Sequence, residues 1–186
     1  MTPPRIALRR MNASEFKRYV KAAIPEYADA HIRAGDVDPK EALKKAKKEY
    51  AELLPKGVAT PGHHLYTITI ADSGAPAGML WFDLKQRHGK IKSFIFDFRL
   101  DEAFRGKGLG RQALELLEQQ ARILGAVLVG LHVFGDNLAA RDLYERSGFR
   151  YASMTMSKEL APGPREHRRR SPFRPKLVVR AIGRKG

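Results

Sequence analysis

Apolar and polar residues follow different rhythms along this chain, and each rhythm marks an element. From residue 14 to 35, Phe16, Tyr19, Val20, Ala23 and Ile24, then Tyr27, Ala30 and His31, recur every three or four positions. That is the spacing of one helix face. Ser14 can cap the run, Pro25 marks a bend and Gly35 a stop. Asp38-Pro39 opens a second helix with Ala42, Leu43, Ala46, Tyr50 and Leu53 on its apolar face and lysines on the other. Pro55, Gly57, Pro61 and Gly62 then break the pattern.

The period next changes to two. Residues 63–70, 78–84 and 93–100 read as three consecutive strands, with turns at Asp72-Ser73-Gly74 and Arg87-His88-Gly89-Lys90. In the first strand Leu65, Thr67 and Thr69 oppose Tyr66, Ile68 and Ile70. In the third, simple alternation puts Phe94, Phe96 and Phe98 on one face and Ile95, Asp97 and Arg99 on the other. A glycine-rich turn opens a helix carrying Leu109, Ala113, Leu116, Leu117, Gln120, Ile123 and Leu124, with Gly125 as its stop. Residues 126–134 form a continuous apolar strand, the kind buried on both faces of a sheet. Asn137 caps a short helix over 138–147, and 149–157 reads as a last strand. Helices, a meander, then helix, strand, helix and strand predict an α/β (α+β) fold: a mixed, mostly antiparallel central sheet flanked by helices.

Charge divides the chain. Of the net +15, a net +8 lies beyond residue 160, where nine Lys or Arg face the single acid Glu166. The expected division is therefore one domain over 1–160 and a basic tail over 161–186. The tail reads either as a solvated, flexible extension or as an anchor for a polyanion such as RNA, ribosome or DNA. Cysteine is absent, which excludes disulfides and a cysteine acyl-enzyme. No apolar run is long enough for a membrane span, and the basic start lacks a signal peptide's apolar stretch, so a cytoplasmic location is expected. No metal site is expected: His63 and His64 are adjacent on a strand and point to opposite faces.

The chemistry concentrates at Arg105-Gly106-Lys107-Gly108-Leu109-Gly110, between a strand and a helix start. Such a turn aims backbone N–H groups and the positive end of the helix dipole at one spot. Glycines let a phosphate approach the main chain, and Lys107 and Arg111 can add charge. The pattern matches neither the Walker loop nor a dinucleotide fingerprint. A turn serving only tight strand–helix packing is the plain alternative.

Arg105-x-x-Gly108-x-Gly110 resembles the [QR]-x-x-G-x-[GA] motif of the GNAT superfamily of N-acetyltransferases. The stretches from Leu131 to Asn137 and from Ala140 to Phe149 resemble that superfamily's second conserved block. The likeness is clear over about 65–160 and leaves out the tail. It implies acetyl-CoA as cosubstrate, an amine acceptor and direct transfer in a ternary complex. By the same resemblance the amides of Arg105, Gly106, Lys107, Gly108, Leu109 and Gly110 hold the pyrophosphate. The main chain from Phe98 to Leu100 holds the pantetheine arm, Asn137 contacts a pantetheine amide, and Arg141 reaches phosphate. Tyr144 stands at the general-acid position, and a phenol keeps its proton at neutral pH. For the base, His132 and Asp97 are both candidates, ordered water is a third, and Asp97 could instead select a cationic substrate or pair with Arg99. The acceptor, whether a small amine or a protein N-terminus or lysine, is left open, as is a homodimer. Two rival readings keep the fold and drop the reaction: a coenzyme A-binding regulator, and a nucleic-acid-associated protein.

Overall fold

The computed structural model describes residues 4–35, 37–156 and 158. The basic tail lies outside the described residues. Among the described residues five strands form one sheet in the order β1-β2-β3-β4-β5: β1 Ile6–Arg10, β2 His63–Ile70, β3 Pro76–Arg87, β4 Lys90–Leu100 and β5 Ala126–Leu131. The first four are antiparallel neighbours, and β5 runs parallel to β4. A parallel neighbour needs a crossover, and α3 (Leu109–Ile123) supplies it. The mixed sheet and its flanking helices are those expected from the residue pattern.

The helices divide between the two faces. On one, α1 (Ala13–Arg33) and α2 (Pro39–Leu53) cover Leu65, Met79 and Trp81 with Met11, Tyr19, Ala23, Tyr50 and Leu54. On the other, Leu109, Ala113, Leu114, Leu117 and Ala121 of α3 pack on Tyr66, Ile68, Leu80, Phe82 and Ile95. Leu109, Leu114 and Leu117 are fully buried, and each contributes about 1.5–3 kcal/mol by leaving water. The last helix, α4 (Leu138–Arg146), joins this second face through Leu143 and Tyr144.

Several local expectations change. β1 was not foreseen; it pairs Ile6 with Ile70 through Arg10 with Tyr66. Asn12 rather than Ser14 caps α1, in a capping box with Glu15, and Pro25 stays within one continuous helix. The α3 stripe is turned from the one read off the sequence: Leu114 is buried, whereas Ile123 is 76% exposed. β5 ends at Leu131 and, among the described residues, pairs with β4 alone; Val127 is 66% exposed instead of buried on both faces. Residues 149–156 carry no regular structure. Tyr151 is held instead on α4, accepting from Arg141 Nε at 2.9 Å and donating to Glu145.

Candidate active site

The site begins where β5 ends. Pairing between β4 and β5 stops at Ile95↔Leu131, yet β4 continues to Leu100, still paired with β3 on its far side. Among the described residues no strand covers the other edge of β4 from Phe96 to Leu100. Its peptide groups there offer the hydrogen-bonding row that an extended ligand can extend. Phe98 and Leu100 lie on this stretch, with side chains in the α3-side core.

At the same place β4 is bulged. Trp81 pairs with Asp97, but the next residue of β3, Phe82, pairs with Ile95, so Phe96 is an extra residue. The simple alternation fails here. Phe96 stacks on Trp81, with ring centroids 4.6 Å apart, on the α1–α2 face, and Phe98 returns to the α3 face with Ile95. Asp97 thereby faces α1. Its Oδ2 accepts from Tyr19 Oη at 2.9 Å and from Arg99 Nη2 at 2.7 Å, and Arg99 Nη1 reaches Glu26 at 2.5 Å. Arg99 is held charged beside the two carboxylates, although burial opposes this. Neither Tyr19 nor Glu26 stood out in the sequence as a site residue, because partners 78 and 73 positions apart leave no local signal.

Beyond Leu100 the chain makes one short turn and enters α3. Arg105 Nε donates to the Leu100 carbonyl at 2.9 Å and Lys107 Nζ to the Ala103 carbonyl at 2.8 Å, so both side chains brace the loop. Arg111 is engaged with Glu115 at 3.0 Å. Gly106 and Gly108 have φ of +72° and +76°, a conformation costly to other residues, and a Cβ at either would meet nothing within 4 Å. The space beside the loop is open to a ligand. Gly110 has a different duty: a Cβ there would lie 3.0 Å from Leu143 Cδ2, so it admits α4.

Asn12, Asp38 and Asn137 cap α1, α2 and α4 with their side chains, but Gly108 gives α3 no such cap. The first N–H groups of α3, including those of Leu109 and Gly110, lack intrahelical acceptors and add to the positive end of the dipole. An anion is the natural partner of that arrangement. The residues present fit the diphosphate of a coenzyme A.

Across the gap lies the segment from β5 to α4. His132 follows the end of β5 directly; it is exposed, with its ring edge-on to Phe134 at 5.3 Å, and Phe134 in turn meets His31 at 5.6 Å. Asn137 Oδ1 accepts from the Ala140 amide at 3.2 Å. Arg141 donates to the Gly135 carbonyl at 2.9 Å as well as to Tyr151, which fixes the loop before α4. Tyr144 packs edge-on to Phe149 with ring centroids 5.5 Å apart. Burial first, and then the negative charge of Asp97, push its phenol up to about 12. Tyr144 therefore keeps its proton throughout the neutral range, and it feels Asp97 although the two come from opposite sides of the sheet.

The two histidines of β2 part as alternation requires. His63 Nδ1 accepts from Trp81 Nε1 at 3.0 Å on one face, and His64 stacks on Phe82 at 5.0 Å on the other. Burial lowers the pKa of both.

Residues 26–149 match the acetyltransferase (GNAT) family. The chain is 39% identical over 155 residues to the uncharacterized N-acetyltransferase YycN of Bacillus subtilis (strain 168), covering 83% of this chain and 99% of that protein. It is 36% identical over 153 residues to a second uncharacterized N-acetyltransferase of that organism, YdgE, covering 82% of this chain and 97% of the relative. Among solved structures, the crystal structure of the putative acetyltransferase YycN superposes with a TM-score of 0.79 at 38% identity, over 85% of this chain and 100% of that one.

Proposed function

The chain belongs to the acetyltransferase (GNAT) family and is an N-acetyltransferase; from that premise we propose that it moves the acetyl group of acetyl-CoA directly to a primary amine in a ternary complex. The observation that carries the proposal is the gap past Ile95↔Leu131, bordered by the free edge of β4 and the uncapped start of α3. In this reading the amides of residues 105–110 take the pyrophosphate, while the edge from Phe98 to Leu100 takes the pantetheine arm. Asn137 contributes its side-chain amide on the far side, and Arg141 keeps the loop between β5 and α4 in place.

The reaction then has two sides. Tyr144, from the α3–α4 face, donates its proton to the departing sulfur as the C–S bond breaks. The amine enters from the α1–α2 face, where Asp97 stands, and its nitrogen forms the new C–N bond. Main-chain N–H groups of β4 polarise the thioester carbonyl. Of the two side chains named as candidates for the base, Asp97 lies on the α1–α2 face with its carboxylate held by Tyr19 and Arg99. His132 lies one residue past β5 and is exposed. The acceptor class is a small amine or a protein N-terminus or lysine, and the expected compartment is the cytoplasm.

Among the described residues no helix is long and apolar enough to cross a membrane. Calorimetric titration with coenzyme A, followed by thiol-release assays on a panel of primary amines, tests the proposal. Binding and turnover are expected. No affinity for coenzyme A would overturn the site, and affinity without turnover of any amine would turn the reading to a non-catalytic regulator.

A further inference from the structure

We infer that Tyr19 is a positioning residue for the acceptor amine and that it acts through Asp97. The inference rests on the proposed reaction, in which the amine approaches from the α1–α2 face. A carboxylate offers two oxygens, and the structure uses those of Asp97 unequally. Tyr19 and Arg99 both donate to Oδ2, at 2.9 and 2.7 Å. Among the described residues nothing hydrogen-bonds Oδ1, while the Asp97 side chain keeps 17% of its surface exposed. Two donors converging on one oxygen fix the rotation of the carboxylate and leave the other oxygen as the acceptor for an incoming N–H.

Each donor is itself anchored. Arg99 is tied to Glu26 by its other nitrogen and lies over the Tyr19 ring at 5.7 Å. The Tyr19 hydroxyl lies 3.4 Å from that of Tyr50, and the residue is 8% exposed within the α1–α2 core. Burial, reinforced by the Asp97 charge, keeps the Tyr19 phenol well above its ordinary pKa, so it remains a donor. The bulge at Phe96 completes the device. Without the extra residue, Asp97 would not share the face of α1, and Tyr19 could not reach it.

The geometry gives the acceptor a defined approach beside the gap. The amine donates one N–H to Oδ1, which turns its lone pair toward the thioester carbon. As the C–N bond forms, the C–S bond breaks and the thiolate takes the Tyr144 proton. The proton shed by nitrogen leaves to solvent, and solvent returns one to Tyr144. Asp97 orients in this scheme and carries no proton.

The test compares Tyr19→Phe, Tyr50→Phe, Asp97→Asn and the Tyr19→Phe/Asp97→Asn pair in the full chain. The probes are acetyl-CoA and the primary amine of the panel with the highest kcat/KM. Losing a hydrogen bond to a charged group should lower kcat/KM for the amine by about tenfold to a hundredfold in Tyr19→Phe, with the KM for acetyl-CoA within about twofold. Tyr50→Phe removes an anchor of the Tyr19 hydroxyl but not the donor itself, and should lower kcat/KM for the amine by no more than about threefold. The double variant should be no worse than Asp97→Asn alone, because the two residues act as one unit. Should Tyr19→Phe not fold, Glu26→Gln replaces it; Glu26 is 60% exposed, and losing this anchor of Arg99 should lower kcat/KM for the amine by about threefold. Independent effects of Tyr19 and Asp97, equal losses in Tyr19→Phe and Tyr50→Phe, or an unchanged amine response would overturn the inference while leaving the acetyl transfer in place. Coenzyme A binding with no amine turned over would overturn both together.

Discussion

Tyr144 and Gly78 show how single residues set this site. Tyr144 sits on a helix of nine residues whose sequence alone allows core packing or acid catalysis, and the structure has it partly buried against Phe149 within reach of the Asp97 charge. A phenol pushed up to about 12 stays protonated at neutral pH and can donate as the C–S bond breaks, although it is a weaker acid than an ordinary tyrosine. Tyr144→Phe should lower kcat by about a hundredfold, the lower end of general-acid contributions, with the affinity for coenzyme A unchanged by calorimetry. Gly78 acts through space. A Cβ there would lie 2.2 Å from the Arg99 carbonyl oxygen and 2.9 Å from Leu100 Cα, so only glycine lets β3 support β4 beside the gap. Gly78→Ala should cost about 3 kcal/mol, as an overpacked contact with main chain, and raise the KM for acetyl-CoA. Urea unfolding and steady-state kinetics read the two effects separately.

Among the elements, those with a strong local rhythm were legible and those defined by partners were not. β2 runs over the residues its alternation marks, and α3 starts and stops at its glycines, because pattern and turn chemistry lie within a few residues. β1 is five residues ending in two arginines, too short to show alternation against a basic start. The bulge in β4 is a fact of register with β3, so counting by twos put Phe96 and Asp97 on opposite faces, whereas they share one and Phe98 takes the other. The stretches over 126–134 and 149–157 read as strands, but a strand needs a neighbour, and among the described residues β5 finds one only as far as Leu131. The glycine-rich turn between β4 and α3 was legible, whereas the division of labour among its glycines was not. Gly110 faces Leu143 rather than open space. Gly110→Ala should therefore push α4 outward, cost about 1–3 kcal/mol and lower kcat through Tyr144. Gly106→Ala meets no neighbour, so it should leave α4 in place; near-UV circular dichroism and kcat of the two variants distinguish packing from backbone strain.

For the whole molecule, charge and burial pull in separate directions. More than half of the net charge lies in the sequence beyond residue 160, whereas the family match ends at residue 149. We propose that the tail supplies a polyanion contact and the preceding residues supply the chemistry. A chain ending at Leu160 should keep acetyl transfer within about twofold and lose salt-sensitive retention on RNA, and retention equal to that of the full chain would reject the contact. Burial governs the response to alkali. Tyr50 and Tyr144 are both pushed up to about 12, chiefly by burial, and burial also raises Tyr19 well above its ordinary value. In the unfolded chain all three phenols ionise near pH 10, while in the folded protein they hold their protons. Above pH 10 the unfolded state thus binds fewer protons than the folded one, and stability falls as pH rises. The stabilisation is complete below pH 10 and is lost progressively through pH 12. Urea midpoints should be flat from pH 8 to 9.5 and then drop steeply. Tyr19→Phe should make that drop shallower, because phenylalanine binds no proton in either state. An equal slope in the variant would mean that the hydroxyl held beside Asp97 is not kept protonated by the fold.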